Sequence, residues 1–400
     1  MRKSVIGLIV LLAATLLYGQ DAKAFTAETE HYRIVAESSQ SAAEQLALEM
    51  EACWKIYSDL FHFDGTQLTA KLKVRLFRDP DSFGKYLEKL LGQSRKDFVF
   101  IAYSDPEKSE LLCHPKDAQG AFDSSLIHQG CIQYLKAFVA NPPVWLREGV
   151  ATYLEGYVYD AKAGTFAARP NMLWLDTLKA SIRGESAFRT IPLSDLLVFT
   201  REMAQENLDI FYPQAWGLIQ FLANAPEKPY NRILWDSIGA LDPKAGLEDN
   251  SQKIRKRVFG WITDSRMKAD FERYILSLKT AADLVKDGME SYGKGDYAKA
   301  EEAFLASLQL ESANNVAFYY LGLVAYNRKE YTRAEDYYMK AFELGTNASL
   351  INYALGVNAF ANKKLDVATK YLSLAKTTDP ANYGEKVDVL MKRIELEKDR

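Results

Sequence analysis

Cysteine is scarce in this chain, and basic charge is not in excess. The 400 residues contain three cysteines, Cys53, Cys113 and Cys131, and their formal net charge is −3. Because the number of cysteines is small and odd, we expect that no disulfide framework stabilises the fold. At most one disulfide could form, for example between Cys113 and Cys131. The mildly acidic balance argues against nucleic acid as a partner.

A hydrophobic run long enough to span a membrane is also missing from the N-terminus. The apolar run at residues 5–17 is shorter than the about 20 residues that a membrane-spanning helix needs. It follows Arg2 and Lys3 and precedes the small-residue site at 22–24, which is typical of a cleavable signal peptide over residues 1–24. We therefore expect a mature chain without a membrane span, exported to a bacterial periplasm or cell envelope, or secreted. Cleavage would lower the net charge to −5, because three basic residues and one acidic residue leave with the segment. An uncleaved anchor is the alternative.

The first part of the mature chain alternates short strand patterns with helix patterns. Its later part, up to about residue 278, is predicted to be mostly helical. This order predicts an α+β domain, a mixed sheet covered by helices. The predicted strands are 31–36, 72–77, 98–103 and 110–114, and the predicted helices include 41–61, 81–91, 171–182, 193–203 and 213–223.

Residues 124–157 carry the most distinctive chemistry and are predicted to form two helices joined by a break at 141–143. On the first helix, i, i+3, i+4 spacing places His128 on the apolar face. On the second, Glu148 and Glu155 line up on the face opposite the apolar one. An inward histidine and a carboxylate face therefore lie on consecutive helices.

This pair of helices resembles the active-site region of the peptidase-MA-like group of gluzincin zinc metallopeptidases. The pattern of that group is H-E-G-x-H-Q, a short connection, then P-x-W-L-x-E-G-x-A-x-Y-x-E. The chain has HQGCIQ at 128–133 and PVWLREGVATYLE at 143–155. The resemblance covers about residues 30–278, and it implies a gluzincin-like α+β fold whose edge strand flanks a cleft.

The resemblance also implies that most of the zinc chemistry has been lost. His128 matches the first zinc ligand and Glu148 the third. Gln129 stands where the family has its general base, and Ile132 stands where it has the second histidine. Catalytic zinc needs three protein ligands, and glutamine cannot accept a proton near neutral pH. Tyr212 matches a family tyrosine near the cleft, but without a metal we expect it to pack in the core with its hydroxyl satisfied.

One alternative keeps a metal. Cys131 lies three residues after His128 on the same helix face, and a thiolate is a good zinc ligand. A zinc peptidase with an altered site of His128, Cys131 and Glu148 would follow, although its general base would still be missing. The favoured interpretation is a pseudo-peptidase with no cofactor, in which His128 is a core histidine hydrogen-bonded to a neighbour.

The C-terminal part contains an internal repeat of 34 residues. Gly288, Gly322 and Gly356 follow one another at this spacing, and so do Ala300, Ala334 and Ala368. The period and its small residues resemble the tetratricopeptide repeat, a pair of packed helices. We expect three such repeats in an all-α solenoid at residues 280–380, followed by a capping helix at 381–400.

The first helices of such repeats line a concave groove, and here that lining is apolar and aromatic. A groove of this kind suits a protein or peptide partner. The alternative is that the capping helix or the first domain already fills it. The predicted groove residues are Val285, Met289, Tyr292, Tyr319, Leu323, Tyr326, Tyr353, Val357 and Phe360.

Together these patterns predict a signal peptide at residues 1–24, a peptidase-MA-like domain at 25–279 and the repeats with their cap at 280–400. The expected function is that of an exported, non-catalytic protein-binding scaffold. The altered-site zinc peptidase is the alternative from another class, and fold alone does not decide between them.

Overall fold

The structure is a computed structural model that describes residues 24–115 and 124–398. The predicted signal peptide lies outside the described residues except for Ala24. The chain divides into two compact units, Met1–Leu278 and Lys279–Arg400, and each is described by itself.

A five-stranded mixed sheet forms the centre of the first part of unit one. Its strand order is β1-β2-β3-β5-β4, in which β2, β3 and β5 run parallel and each edge strand pairs antiparallel with its neighbour. The four predicted strands are present within shorter bounds. β1 was missed, because four residues are too few for a period of two to distinguish a strand. The strands are β1 (Phe25–Glu28), β2 (Tyr32–Ala36), β3 (Leu72–Leu76), β4 (Val99–Ile101) and β5 (Glu110–Cys113).

Helices cover both faces of this sheet. Leu111 and Cys113 of β5 belong to the main core, to which α1 and α3 also contribute, whereas Leu112 between them packs in a second cluster with α2. The period of two along a strand produces this division. Local signals set the helix starts, since Ser39 caps α1 and Asp79 forms a capping box with Ser82 at α2. These helices are α1 (Gln40–Phe61), α2 (Pro80–Leu91), α3 (Ser125–Phe138) and α4 (Val144–Leu154).

The rest of unit one is a small hairpin followed by helices. The predicted helix at 193–203 is wrong, because the chain turns after Leu197 and Thr200 caps a separate helix by accepting from the Met203 N–H. The hairpin, with strands of three residues, was not predicted. These elements are β6 (Val158–Asp160), β7 (Thr165–Ala167), α5 (Leu175–Arg183), α6 (Leu193–Leu196), α7 (Arg201–Glu206), α8 (Leu208–Asn224), α9 (Lys228–Gly239), α10 (Leu247–Arg257) and α11 (Asp264–Ser277).

Unit two consists of three helix pairs and a final helix, which confirms the helical repeat. In each pair a glycine of the first helix lies against a bulky side chain of the second. A Cβ atom at Gly322 would lie 2.4 Å from the Tyr338 ring, and one at Gly356 would lie 2.6 Å from Leu372. Glycine therefore permits the close helix approach. The helices are α12 (Ala281–Gly293), α13 (Tyr297–Leu310), α14 (Asn315–Asn327), α15 (Tyr331–Glu343), α16 (Ala348–Ala361), α17 (Leu365–Thr378) and α18 (Pro380–Lys398).

The cysteines and the hydropathy of the helices complete the description. Cys53, Cys113 and Cys131 are buried free thiols, so the pair Cys113 with Cys131 is not a disulfide here. The Cys113 thiol instead donates to the carbonyl oxygen of Arg75.

Within residues 24–115 and 124–398, no helix is both long and apolar enough to cross a membrane.

Candidate functional site

Helix α3 places His128 among buried residues of unit one. The Tyr57 hydroxyl of α1 donates to the Ile127 carbonyl oxygen at 2.7 Å. A Cβ atom at Gly130 would lie 2.7 Å from that same hydroxyl, so the glycine lets α1 approach α3 closely. His128 is 7% exposed, as its place on the apolar stripe predicts.

Helices α4 and α8 bring the carboxylate face to this histidine. A Cβ atom at Gly149 would lie 2.7 Å from the Ala215 carbonyl oxygen, so the two backbones touch at this point. The contact places Tyr212 of α8 against Glu148 of α4, and the tyrosine hydroxyl donates to Glu148 Oε2 at 3.3 Å. Glu148 itself is 1% exposed.

Five side chains meet here and form what we call the ionic cluster: His128, Arg147, Glu148, Glu155 and Tyr212. Nδ1 of His128 lies 2.7 Å from Oε1 of Glu155, and its Nε2 lies 3.5 Å from Oε2 of Glu148. Arg147 donates from Nε to Oε1 of Glu148 at 2.7 Å. When His128 is protonated, the positive charges of His128 and Arg147 therefore balance the negative charges of Glu148 and Glu155.

The surroundings favour the charged form of both central groups. Burial alone would lower the pKa of His128, but the hydrogen-bonding carboxylates of Glu148 and Glu155 outweigh it and raise that pKa to about 9. Burial alone would raise the pKa of Glu148, but the Arg147 charge and the His128 contact outweigh it and lower that pKa to about 2. Near neutral pH the pair is imidazolium and carboxylate.

Gln129 and Ile132, which the sequence resemblance aligns with a general base and a second histidine, both make structural contacts. The Gln129 Oε1 atom accepts a hydrogen bond from the backbone N–H of Phe100 at 3.2 Å. This bond fastens α3 to edge strand β4. Ile132 is 1% exposed and belongs to the main core. Neither side chain offers a proton acceptor or a metal ligand suited to peptide hydrolysis.

The alternative ligand set consists of His128, Cys131 and Glu148. Across the described ranges, no group of three histidine, cysteine or acidic side chains is arranged to hold a metal ion. Burial raises the pKa of the Cys131 thiol well above its usual value, and the Glu148 charge adds to this, so the thiol stays neutral. Arg147 already occupies one oxygen of Glu148.

Sequence reasoning gave Arg147 no role and assigned Glu155 only to a helix face. The sequence did contain a sign that Glu155 lies near His128. Glu155 follows Glu148 by seven residues, which places both on the helix face that meets His128. Asn171 also contributes, since its Nδ2 donates to the Thr152 carbonyl oxygen at 2.7 Å and lies 3.5 Å from Glu155 Oε2. No spacing in the sequence marked Asn171.

In unit two the predicted groove residues lie along the first helices of the repeats. Eight of the nine are half-buried and Met289 is exposed. The ring of Tyr383, on α18, lies 5.1 Å from that of Tyr353. Burial raises the pKa of Tyr319 to about 12, and Tyr383 adds to this. The final helix therefore lies beside the predicted groove residue Tyr353.

Comparisons with known proteins add little to this picture. No family model matches the chain, and no curated protein matches it. Solved structures give likenesses with low TM-scores. The first tetratricopeptide domain of Spaghetti (RPAP3), bound to an HSP90 peptide, has 19% identity and a TM-score of 0.28, covering 30% of this chain and 94% of that one.

Two further solved structures have the same TM-score of 0.28. The type III secretion translocator chaperone SycD of Yersinia enterocolitica has 19% identity and covers 32% of this chain and 95% of that one. The APC/C hetero-tetramer Cut9-Hcn1 has 16% identity and covers 69% of this chain and 47% of that one.

Proposed function

We propose that this protein is an exported, non-catalytic scaffold that binds a polypeptide through its helical repeats. Its first unit would be a peptidase-MA-like domain without zinc chemistry. The observation that carries the proposal is the row of half-buried tyrosines, Tyr292, Tyr319, Tyr326 and Tyr353, on the first helices of consecutive repeats.

A row of tyrosines suits recognition, because each ring offers apolar area and a polar hydroxyl at a small cost in conformational entropy. Tyr292 already accepts a hydrogen bond from Asn327 at 3.1 Å, and its ring meets that of Tyr320 edge to face. Such contacts hold the rings in place before a partner arrives. The chemistry suits an apolar segment, either extended or helical.

The first unit supports a structural role through its ionic cluster. A peptidase needs an open metal position and a base near the scissile bond. Here the histidine is held between Glu148 and Glu155, and Gln129 is fastened to Phe100. The export of the chain is supported by the pattern of residues 1–24.

The experiment is affinity capture from a cell-envelope extract with the purified protein as bait. Tyr319→Glu and Tyr353→Glu place a charge in the groove, and we expect them to lose the captured partner. Phe342→Glu is the matched control, because Phe342 belongs to the same repeats, is 46% exposed and is not a groove position. Helical circular dichroism must first show that all three variants are folded.

Equal capture by the groove variants and the control would contradict the proposal. A further variant tests the alternative in which α18 fills the groove. Tyr383→Ala removes the ring that lies on Tyr353, so it should increase partner binding if Tyr383 competes with the partner. It should leave binding unchanged if the partner uses only the end of the groove near Tyr292.

A further inference from the structure

Unit one contains a second cleft, whose lining includes no residue of the ionic cluster. Its volume is about 340 Å³, within the range of small-molecule sites. It opens between edge strand β4, the segment that leads into β3, and the C-terminal half of α3. The lining residues are Leu68, Thr69, Ala70, Lys71, Leu72, Phe100, Ala102, Tyr103, Ser104, Pro106, Ser109, Gln133, Lys136, Ala137, Ala140 and Asn141.

The charge of this lining is one-sided, with two lysines and no acidic residue. Lys71 is compensated from outside the cleft, because its Nζ lies 3.1 Å from Glu28 Oε2 and 2.6 Å from the Thr29 carbonyl oxygen. Lys136 donates to the carbonyl oxygen of Ala140. Among the residues that the structure describes, no carboxylate pairs with Lys136.

The side chain of Lys136 is half-buried, and an opposite charge close to a half-buried ammonium stabilises its charged form. Burial lowers the pKa of Lys136 to about 8, and the charges of Arg201 and Arg147 add to this. An anion that entered the cleft would supply the missing charge.

A second polar group lies one helical turn from Lys136. Gln133 is 1% exposed; its Nε2 donates to the Lys73 carbonyl oxygen at 2.8 Å, while its Oε1 has no hydrogen-bond partner. An unsatisfied buried acceptor is unfavourable, and an N–H donor on a ligand would relieve it once the side chain adjusts. Phe100 and Leu72 contribute apolar surface to the lining of the cleft.

We infer that this cleft binds a small carboxylate that carries an apolar side group and an amide N–H, which is the chemistry of an N-acylated amino acid. The carboxylate would pair with Lys136, the N–H would meet Gln133 Oε1, and the apolar group would lie on Phe100. A free acylated amino acid and the C-terminal residue of a peptide share this chemistry. The inference does not depend on the repeat groove.

The test is a calorimetric titration of the purified protein with N-acetylleucine and, separately, with N-acetylleucinamide. The amide keeps the side chain and the N–H but removes the charge. We expect the carboxylate to bind at least tenfold more tightly, since charge-assisted hydrogen bonds are among the stronger ones. Equal affinity for the two compounds, or no binding of the carboxylate at millimolar concentration, would overturn the inference.

Variants then locate the site. Lys136→Met should lose the carboxylate preference, whereas Lys136→Arg should keep it. Lys71→Met is the matched control, because Lys71 lines the same cleft but is already paired with Glu28, and it should bind as the parent does. An equal loss in Lys71→Met and Lys136→Met, with melting temperatures unchanged, would refute the role of Lys136.

Tighter binding of acetyl-Ala-Ala-Leu than of N-acetylleucine would identify a peptide C-terminus as the source, and equal binding would favour the free amino acid.

Discussion

Nε2 of His128 lies 3.5 Å from Oε2 of Glu148, while Nδ1 of the same ring lies 2.7 Å from Oε1 of Glu155. Both ring nitrogens are thus engaged by carboxylates. A histidine held on both sides by acidic groups is stabilised as imidazolium, the form that cannot bind a metal. This relationship leads to the first three predictions.

Replacing Glu148 should destabilise the protein strongly. Glu148→Gln removes the anion that faces Arg147 and His128 and leaves their charges buried. Loss of one partner from a buried ion pair costs about 3–5 kcal/mol, and urea unfolding of the purified protein measures it. Glu155→Gln is the control and should cost less, because the Glu155 side chain is 21% exposed. An equal loss in the two variants would contradict the buried cluster.

Stability should depend on pH through the same cluster. The folded pKa of His128 is raised to about 9, so its contribution is fully present below its unfolded pKa of about 6.5. The free energy of unfolding should therefore fall as pH rises through 9. The folded pKa of Glu148 is lowered to about 2. Its contribution to the free energy of unfolding is therefore fully present above its unfolded pKa of about 4.5 and is lost as pH falls through 2.

Chemical denaturation at several pH values checks this dependence. His128→Gln should remove much of the decline between pH 6.5 and 9. His62→Asn, which changes an exposed histidine at the end of α1, should keep it. A decline that is the same in both variants would have another origin.

Zinc should not bind with one-to-one stoichiometry. Purified protein exposed to zinc and then desalted should be metal-free by elemental analysis, with an unchanged melting temperature. The reason is that Ile132 offers no lone pair and Arg147 engages Glu148. Stoichiometric zinc that disappears in both His128→Ala and Cys131→Ala would instead support the altered-site peptidase.

A methyl group at Gly322 should destabilise the repeats. In Gly322→Ala the new Cβ would lie 2.4 Å from the ring of Tyr338, and overpacking of this kind costs about 1–3 kcal/mol. Thermal unfolding measures the loss, and Tyr338→Leu in the same chain should recover part of it. Gly384→Ala is the control, because nothing lies within 4 Å of its added Cβ; it should stabilise the chain by about 0.5–1 kcal/mol.

Local patterns predicted much of the fold because they act over short distances. The 34-residue spacing identified one glycine in each repeat, and each of these glycines lies against the second helix of its own pair, as Gly322 does against Tyr338. Strands β2 and β3 were predictable because their buried and half-buried residues alternate. The hairpin of β6 and β7 was not, because its short exposed strands depend on their pairing.

The sequence by itself determined the helical repeat, the buried place of His128 and the absence of a base at Gln129, since periodicity and side-chain chemistry are local properties. Only the tertiary structure decided what these residues meet. The hydrogen bond of Gln129 to Phe100 and the pairing of His128 with Glu155 join positions 29 and 27 residues apart. Likewise, only the packing of distant segments places Lys136 in a cleft lining that has no acidic residue among those described. Contacts of this kind depend on how helices and strands pack, and no single segment encodes them.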